Sequence, residues 1–251
     1  MEDFSNLHIY FGGAGFSCAF YIGVVKAFQE KFKNQIPKIT GDSAGSLIGL
    51  AYSMNIHWTK IKDIYINSLI RQKNRNNRIW LGYLTDDHNH IIDSILNLGD
   101  FNIIKNNDKF NVGVTQFYNN YISYSNWSSK YQLKNIMNKS MILPFITKTQ
   151  ISIEIDGGFS NYNSYDITIG CSNYYDINLY QTNYERLNMI TVDKLNNLIE
   201  LGYQSAMKFN YTKKIPKVFS LQNKINNHFI IIFMWILKFF SIPLKLFFVI
   251  K

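Results

Sequence analysis

Apolar residues near the N-terminus change their spacing several times, and each change marks a predicted element. Residues 7–11 form a short apolar run typical of a strand, and helical spacing follows from about 16 to 32. A second apolar run covers about 36–41, and a second helical pattern covers about 45–54. The order strand, helix, strand, helix predicts a right-handed parallel β-α-β unit.

A glycine-rich turn separates strand from helix in both halves of this unit. The first turn is Gly12-Gly13-Ala14-Gly15, and the second is Gly41-Asp42-Ser43-Ala44-Gly45. A Gly-x-Ser-x-Gly sequence is typical of a sharp strand-to-helix turn that exposes the serine hydroxyl at the positive end of a helix. Ser43 is therefore a candidate nucleophile. Because open α/β sheets place their sites at the carboxyl ends of strands, we expect the two turns to face each other.

Three uses compete for the first glycine turn. A dinucleotide-binding fingerprint would need a third glycine, and Cys18 stands in its place. Backbone amides at a helix start can instead hold a developing negative charge, so Gly13, Ala14 and Gly15 are candidates for an oxyanion hole. A tight turn without chemistry is the third alternative.

Beyond residue 54 the pattern predicts more helices and a hairpin. Asp86 or Asp87 is expected to cap a helix that runs to about Leu98. Alternating apolar and polar residues predict paired strands on either side of Tyr118-Asn119-Asn120. Further helical patterns cover about residues 58–71, 127–137 and 192–207.

A second stretch with chemical character begins at Ile151. Ile151, Ile153 and Ile155 alternate with polar residues, which predicts a strand with one buried face and Asp156 at its carboxyl end. Gly157 and Gly158 follow and let the chain leave the strand in conformations that other residues avoid. An Asp-Gly turn is also ordinary hairpin chemistry, so a structural role is the alternative.

Composition limits the class of protein. The 251 residues suit one sizeable domain, and the net charge of +9 fits either an anionic surface such as phospholipid headgroups or a merely basic protein. Two cysteines favour a reducing compartment over a disulfide framework, and the N-terminus does not resemble a signal peptide. No metal-ligand spacing occurs, so we expect no metal. We also expect no cofactor and no nucleic acid partner.

The three motifs together resemble the patatin-like phospholipase family, most closely its animal-type lipid hydrolases. The matching residues are Gly13-Ala14-Gly15-Phe16, Gly41-Asp42-Ser43-Ala44-Gly45 and Asp156-Gly157-Gly158, within about residues 7–170. The resemblance implies a three-layer α/β/α fold with a mostly parallel central sheet. It also implies a lipid acyl hydrolase of phospholipase A or acylglycerol lipase type, in which Ser43 is the nucleophile and Asp156 the proton acceptor. The implied oxyanion hole is Gly13, Ala14 and Gly15, without a metal.

Two other classes of serine hydrolase fit less well. A Ser-His-Asp α/β-hydrolase places its serine turn after several strands, whereas Ser43 comes early and the late His228 lies beside an apolar tail. A GDS-type esterase needs Asp-x-x-His near its end, and Ile225-Asn226-Asn227-His228 does not supply it. A catalytically inactive lipid-binding protein on the same fold is the alternative from a different functional class.

The last apolar stretch predicts association with a membrane. We divide the chain into a catalytic domain over 1–210, a basic polar linker over 211–228 and a hydrophobic segment over 229–250. Twenty-two helical residues would span about 33 Å, enough for a bilayer core of about 30 Å. Lys238 and Lys245 also fit a helix that lies in the interface, and packing on the domain is a third alternative. We expect a membrane surface or lipid droplet location, with the catalytic domain in the cytoplasm.

Overall fold

The computed structural model describes nine segments of the chain, residues 4–33, 35–74, 83–116, 120–142, 154–159, 161, 163–172, 174–179 and 190–211. The strands in these segments are β1 (His8–Phe11), β2 (Lys38–Gly41), β3 (Phe110–Gln116), β4 (Asn120–Tyr124), β5 (Glu154–Asp156), β6 (Ile167–Gly170) and β7 (Ile177–Asn178). The helices are α1 (Ala19–Phe32), α2 (Ala44–Ser53), α3 (Trp58–Asn74), α4 (Tyr83–Leu98), α5 (Lys130–Ser140) and α6 (Val192–Lys208).

These strands form one mixed sheet that is mostly parallel. Its order is β4-β3-β2-β1-β6-β7. Strands β1, β2, β3, β6 and β7 run parallel to one another. The β3–β4 pair is antiparallel, with Val114 opposite Ile122. The predicted parallel β-α-β unit and the predicted hairpin are thus confirmed.

Strands β2 and β5 approach each other end to end along β3. β4 occupies one edge of β3 over residues 112–116, so β2 and β5 must both lie on the other edge. β2 ends with Gly41 opposite Val112, and the antiparallel β5 ends with Asp156 opposite Val114. Gly113 lies between these two positions. The carboxyl ends of β2 and β5 therefore meet at Gly113.

The two faces of the sheet differ in polarity. One face carries buried apolar side chains, which are Ile9, Phe11, Ile39, Phe110, Val112, Val114, Ile167 and Ile169. This pattern arises because alternate residues of a strand point to opposite faces. The opposite face carries Tyr10, Thr40, Asn111, Thr115 and Thr168, which are also buried.

The described helices pack against one another in a continuous group. Helix α1 contacts α2, α3 and α6, while α4 and α5 contact each other and α2. The closest approach is between α1 and α6, where a Cβ on Gly202 would collide with the Phe20 carbonyl. On the polar face of the sheet, Tyr165 stacks on Tyr10 with ring centroids 4.7 Å apart. The mixed α/β architecture is confirmed; the three-layer arrangement stays a prediction.

Three helix starts differ from the expectations. α1 begins at Ala19 because residues Gly15–Cys18 form a preceding 3-10 turn. α4 begins at Tyr83, so Asp86 and Asp87 lie inside the helix and the predicted cap is wrong. α5 begins at Lys130 because the Ser129 side chain accepts a hydrogen bond from the Gln132 amide at 3.2 Å, which caps that end.

Several expectations concern residues outside the described segments. They are the strand start at 151–153 and the whole of 212–251, which includes the predicted hydrophobic segment and all of the predicted linker except residue 211. Among the helices that the structure does describe, none has both the length and the apolar character needed to cross a bilayer. The membrane segment at 229–250 stays a prediction.

Candidate active site

Ser43 occupies a strained turn between β2 and α2. Its backbone angles are φ 53° and ψ −132°, a conformation that residues with a side chain rarely adopt. Gly41 and Gly45 make the turn possible: a Cβ on Gly41 would collide with Ser46, and one on Gly45 with the carbonyls of Phe11 and Gly12. Both glycines therefore permit the close approach of the chain at this turn.

The Ser43 backbone is also held from outside the turn. Its amide donates a hydrogen bond to the Ser140 hydroxyl at 2.9 Å, at the last residue of α5. The Ser43 carbonyl accepts a hydrogen bond from the Ser46 hydroxyl at 2.6 Å. These contacts stabilise a conformation that would otherwise cost about 1–3 kcal/mol.

Asp156 lies beside Ser43 because it ends the strand that meets β2. The Ser43 hydroxyl is close enough to the Asp156 carboxyl group to lower its pKa. The Gly158 amide donates a hydrogen bond to Asp156 Oδ1 at 2.9 Å. The Asp156 carbonyl accepts a hydrogen bond from Thr115 Oγ1 at 2.8 Å, which fixes the end of β5 to β3.

The environment of Asp156 favours a proton acceptor that works near neutral pH. Burial is the main cause and raises the pKa of Asp156 to about 7, while the hydrogen bonds from Ser43 and Gly158 lower it and the charge of Asp42 raises it. A carboxylate with a pKa in this range is a stronger base than an exposed one and is still ionised above neutrality.

The first glycine turn lies against both of these side chains. A Cβ on Gly13 would be 3.5 Å from Ser43 Cβ and 3.8 Å from Asp156 Oδ1. Gly15 has a positive φ of 53° and begins the 3-10 turn before α1. In the described part of the chain, no acceptor takes a hydrogen bond from the amides of Gly13, Ala14 or Gly15. These amides are available to an oxyanion near Ser43.

Gly157 and Gly158 also belong to this cluster. A Cβ on Gly157 would collide with the Gly113 carbonyl, so this glycine permits the close approach of the chain to β3. A Cβ on Gly158 would be 3.2 Å from Asp156 Oδ1 and 3.9 Å from the Gly13 amide nitrogen. The structure thus brings together every site residue named from the sequence.

Sequence reasoning missed a buried carboxylate next to the nucleophile. Asp42 is fully buried and accepts hydrogen bonds from Tyr10 at 2.6 Å, Tyr121 at 2.9 Å and Asn161 at 3.1 Å. Its signal was present in the sequence, since a carboxylate directly after a buried strand must find partners. Ser140 and Asn161 gave no comparable signal, because only the tertiary structure brings them to the turn.

No metal centre accompanies this cluster in the segments that the structure describes. Among those residues, no group of three or more His, Cys, Asp or Glu side chains could hold a metal ion. Neither Cys18 nor Cys171 forms a disulfide bond, and both are buried.

Comparison with known proteins identifies the family. The family model described as patatin-like phospholipase matches residues 9–169, which is more than half of the chain. The chain belongs to the patatin-like phospholipase family. The match includes all three motifs. No curated protein sequence matches the chain.

The chain is also similar to a solved structure. It is the heterodimeric ExoU–SpcU complex from the type III secretion system of Pseudomonas aeruginosa, at 10% sequence identity and a TM-score of 0.45. The similarity covers 81% of this chain and 51% of that one, so the chain spans about half the length of its structural neighbour.

Proposed function

We propose that this protein is a serine acyl hydrolase that cleaves lipid esters with a dyad of Ser43 and Asp156. The observation that supports the proposal most directly is the position of Ser43 beside the buried Asp156 carboxyl group, with both side chains against Gly13. The strained serine turn and the family membership add to it, as do the amides of the glycine turn, for which the described residues provide no acceptor. In family terms the enzyme is a serine carboxylic-ester hydrolase.

In the proposed first half-reaction, Ser43 Oγ attacks the ester carbonyl while Asp156 takes the hydroxyl proton. The carbonyl oxygen becomes an oxyanion that accepts hydrogen bonds from the amides of Gly13, Ala14 and Gly15. One such donor is typically worth about 3–4 kcal/mol of transition-state stabilisation. Collapse of the tetrahedral intermediate breaks the ester bond, and the leaving alcohol receives its proton from Asp156.

In the second half-reaction, water attacks the acyl-serine ester. Asp156 removes a proton from this water, and the same amides hold the second oxyanion. Collapse releases the fatty acid, and Ser43 regains its proton from Asp156. This cycle needs no metal or organic cofactor.

The substrate class in this proposal is a phospholipid or an acylglycerol. The positive net charge favours approach to an anionic lipid surface. The apolar segment at 229–250 is proposed to hold the catalytic domain, over 1–210 of a three-layer fold, at a membrane or lipid droplet that faces the cytoplasm.

A fluorophosphonate probe tests the activated serine without knowledge of the substrate. Full-length protein in detergent would be compared with Ser43→Ala, Asp156→Asn and a matched control, Ser53→Ala. Ser53 is a buried serine at the opposite end of α2, so its loss should not change labelling. We expect labelling of the wild type and the control, none of Ser43→Ala, and at least a hundredfold slower labelling of Asp156→Asn.

The same variants would then be given mixed phospholipid vesicles and a triacylglycerol emulsion, with fatty acid release as the readout. A folded wild type that neither labels nor releases fatty acid would contradict the proposal and favour an inactive lipid-binding protein. Labelling that persists in Ser43→Ala would show that another residue is the nucleophile.

A further inference from the structure

Asp42 lies on the opposite side of the serine turn from α2, where the ends of β2 and β5 meet. A Cβ on Gly113 would collide with Asp42 Oδ1, and one on Gly157 would be 2.9 Å from the same atom. The Asp42 carboxylate therefore fills the space between the two strand ends. Asp42 directly precedes the proposed nucleophile Ser43 in the chain, and Gly157 directly follows the proposed base Asp156.

Three donors from separate parts of the fold converge on this carboxylate in the described part of the chain. Oδ2 accepts from the Tyr10 hydroxyl of β1 and from the Asn161 amide, and Oδ1 accepts from the Tyr121 hydroxyl of β4. A carboxylate that accepts several hydrogen bonds is stabilised in its ionised form, because each hydrogen bond is stronger to the anion than to the acid.

Asn161 connects this carboxylate to the chain segment that carries Asp156. Its amide donates to Asp42 Oδ2 at 3.1 Å and to the Tyr121 hydroxyl at 2.9 Å. Asn161 follows Asp156 by five positions, so its hydrogen bonds attach the exit of β5 to the serine turn. None of these contacts involves Ser43 Oγ, and Asp42 is thus not a catalytic residue in the strict sense.

We infer that Asp42 is a positioning residue for the proposed hydrolysis: its ionised carboxylate holds the ends of β2 and β5 together and makes Asp156 a better proton acceptor through its negative charge. This inference rests on the proposed function and extends it to a residue that does not contact the substrate. It assigns a chemical reason to the aspartate at the second position of this Gly-x-Ser-x-Gly turn.

The electrostatic part of the inference agrees with the titration properties of the site. Burial raises the pKa of Asp42 to about 6, although its hydrogen bonds lower it, so Asp42 is ionised above neutral pH. The titratable groups that face the two carboxylates are Tyr10 of β1, Tyr121 of β4 and Tyr165 of the loop before β6. Burial raises the pKa of all three tyrosines, that of Tyr165 to about 12, so they stay neutral in this range.

The rate of fluorophosphonate labelling between pH 5 and 9 tests this role in full-length protein. In the wild type we expect the rate to rise with pH through an apparent pKa near 7 as Asp156 ionises. Asp42→Asn keeps the shape of the side chain, and the Tyr10 hydroxyl can turn to accept a hydrogen bond from the new amide group. Without the neighbouring charge, the rise of the labelling rate should move to lower pH by on the order of one unit.

Thr40→Val is the matched control for damage to the polar face of the sheet. Thr40 is buried two residues before Asp42 and bonds to His8 rather than to the carboxylate. The apparent pKa of its labelling rate should equal that of the wild type. If Asp42→Asn also keeps the wild-type apparent pKa and only its plateau rate falls, Asp42 has a purely structural role, and the proposed effect of its charge on Asp156 is overturned.

Asn161→Ala tests the connection between the two strand ends and keeps both carboxylates. We expect its plateau labelling rate to fall about tenfold, because misplacement of the base by a fraction of an ångström slows proton transfer. A wild-type plateau rate in this variant would overturn the positioning part of the inference.

Carbon-13 NMR of the carboxyl groups provides a test that requires neither the Asp42→Asn variant nor enzymatic activity. In wild-type protein, the Asp156 signal should titrate in two steps, since it responds to Asp42 as well as to its own proton. A single step would overturn the coupling. A wild type that shows two steps but no labelling would instead contradict the proposed hydrolysis, so the two failures are distinguishable.

Discussion

The two faces of the central sheet are equally buried but differ in chemistry. The helix-covered face is formed by Val, Ile and Phe side chains, whose burial gives stability without any need for directional contacts. The other face is formed by hydroxyl, amide and carboxylate groups, and each needs a partner at a defined distance. We conclude that one face holds the sheet together and the other fixes the positions of its strand ends.

The largest expected effect is a loss of stability from the apolar face. Phe110 is fully buried in β3, and Phe110→Ala should lower the free energy of unfolding by about 3–5 kcal/mol, because a large cavity remains. Urea denaturation measures this loss. Fluorophosphonate labelling per folded molecule should stay within about threefold of the wild type; a greater loss would show that the two faces are not separable.

The second effect is a gain of stability when the proposed base loses its charge. The folded pKa of Asp156 is raised to about 7, so wild-type stability falls as the pH rises from about 4 to 7. Asp156→Asn should therefore be more stable than the wild type by about 2–4 kcal/mol at pH 8 and show no such gain near pH 4. Thermal melting across this range measures the difference. A gain of the same size at both ends would contradict the raised pKa.

A smaller effect is expected for one hydrogen bond on the polar face. Thr115→Val removes the 2.8 Å hydrogen bond to the Asp156 carbonyl and conserves the volume of the side chain. The free energy of unfolding should fall by about 1 kcal/mol, whereas labelling should slow about tenfold. Denaturation and labelling of the same sample provide both values. If the loss of stability and the loss of labelling rate stand in the same ratio in Phe110→Ala and Thr115→Val, the two faces do not have separate roles.

The smallest effect concerns the serine turn between β2 and α2. Ser43→Gly should raise the free energy of unfolding by about 0.5–1 kcal/mol, because glycine adopts the observed positive φ without a steric penalty. Ser43→Ala is the matched control, since it removes the same hydroxyl and retains the strain. If both variants have the same denaturation midpoint, the turn stores no strain.

The sequence allowed much of the sheet to be predicted, since apolar runs and glycine turns have local causes. The strands at 8–11 and 38–41 and the hairpin of β3 and β4 agree with their predictions. The start of α4 did not, because Asp86 and Asp87 fit a cap by residue type and the helix extends past them. The capping preference of a single residue is weaker than the backbone hydrogen bonds of a whole helical turn.

The arrangement at the site needed the tertiary structure. The sequence placed Asp156 at a strand end but could not show that β5 runs antiparallel to β3 and points at β2. Register between strands that are far apart in the chain depends on the whole sheet. The partners of Asp42 come from β1, β4 and the segment after β5 for the same reason.

The pairing of β5 has a consequence for heat inactivation. Among the described residues β5 pairs with β3 alone, whereas Ser43 follows a strand with neighbours on both sides. A strand with one neighbour opens locally at a lower free energy than the global unfolding of the domain. Heating should therefore separate Asp156 from Ser43 before the sheet melts, and the working temperature of the proposed hydrolase would be set by this one pairing.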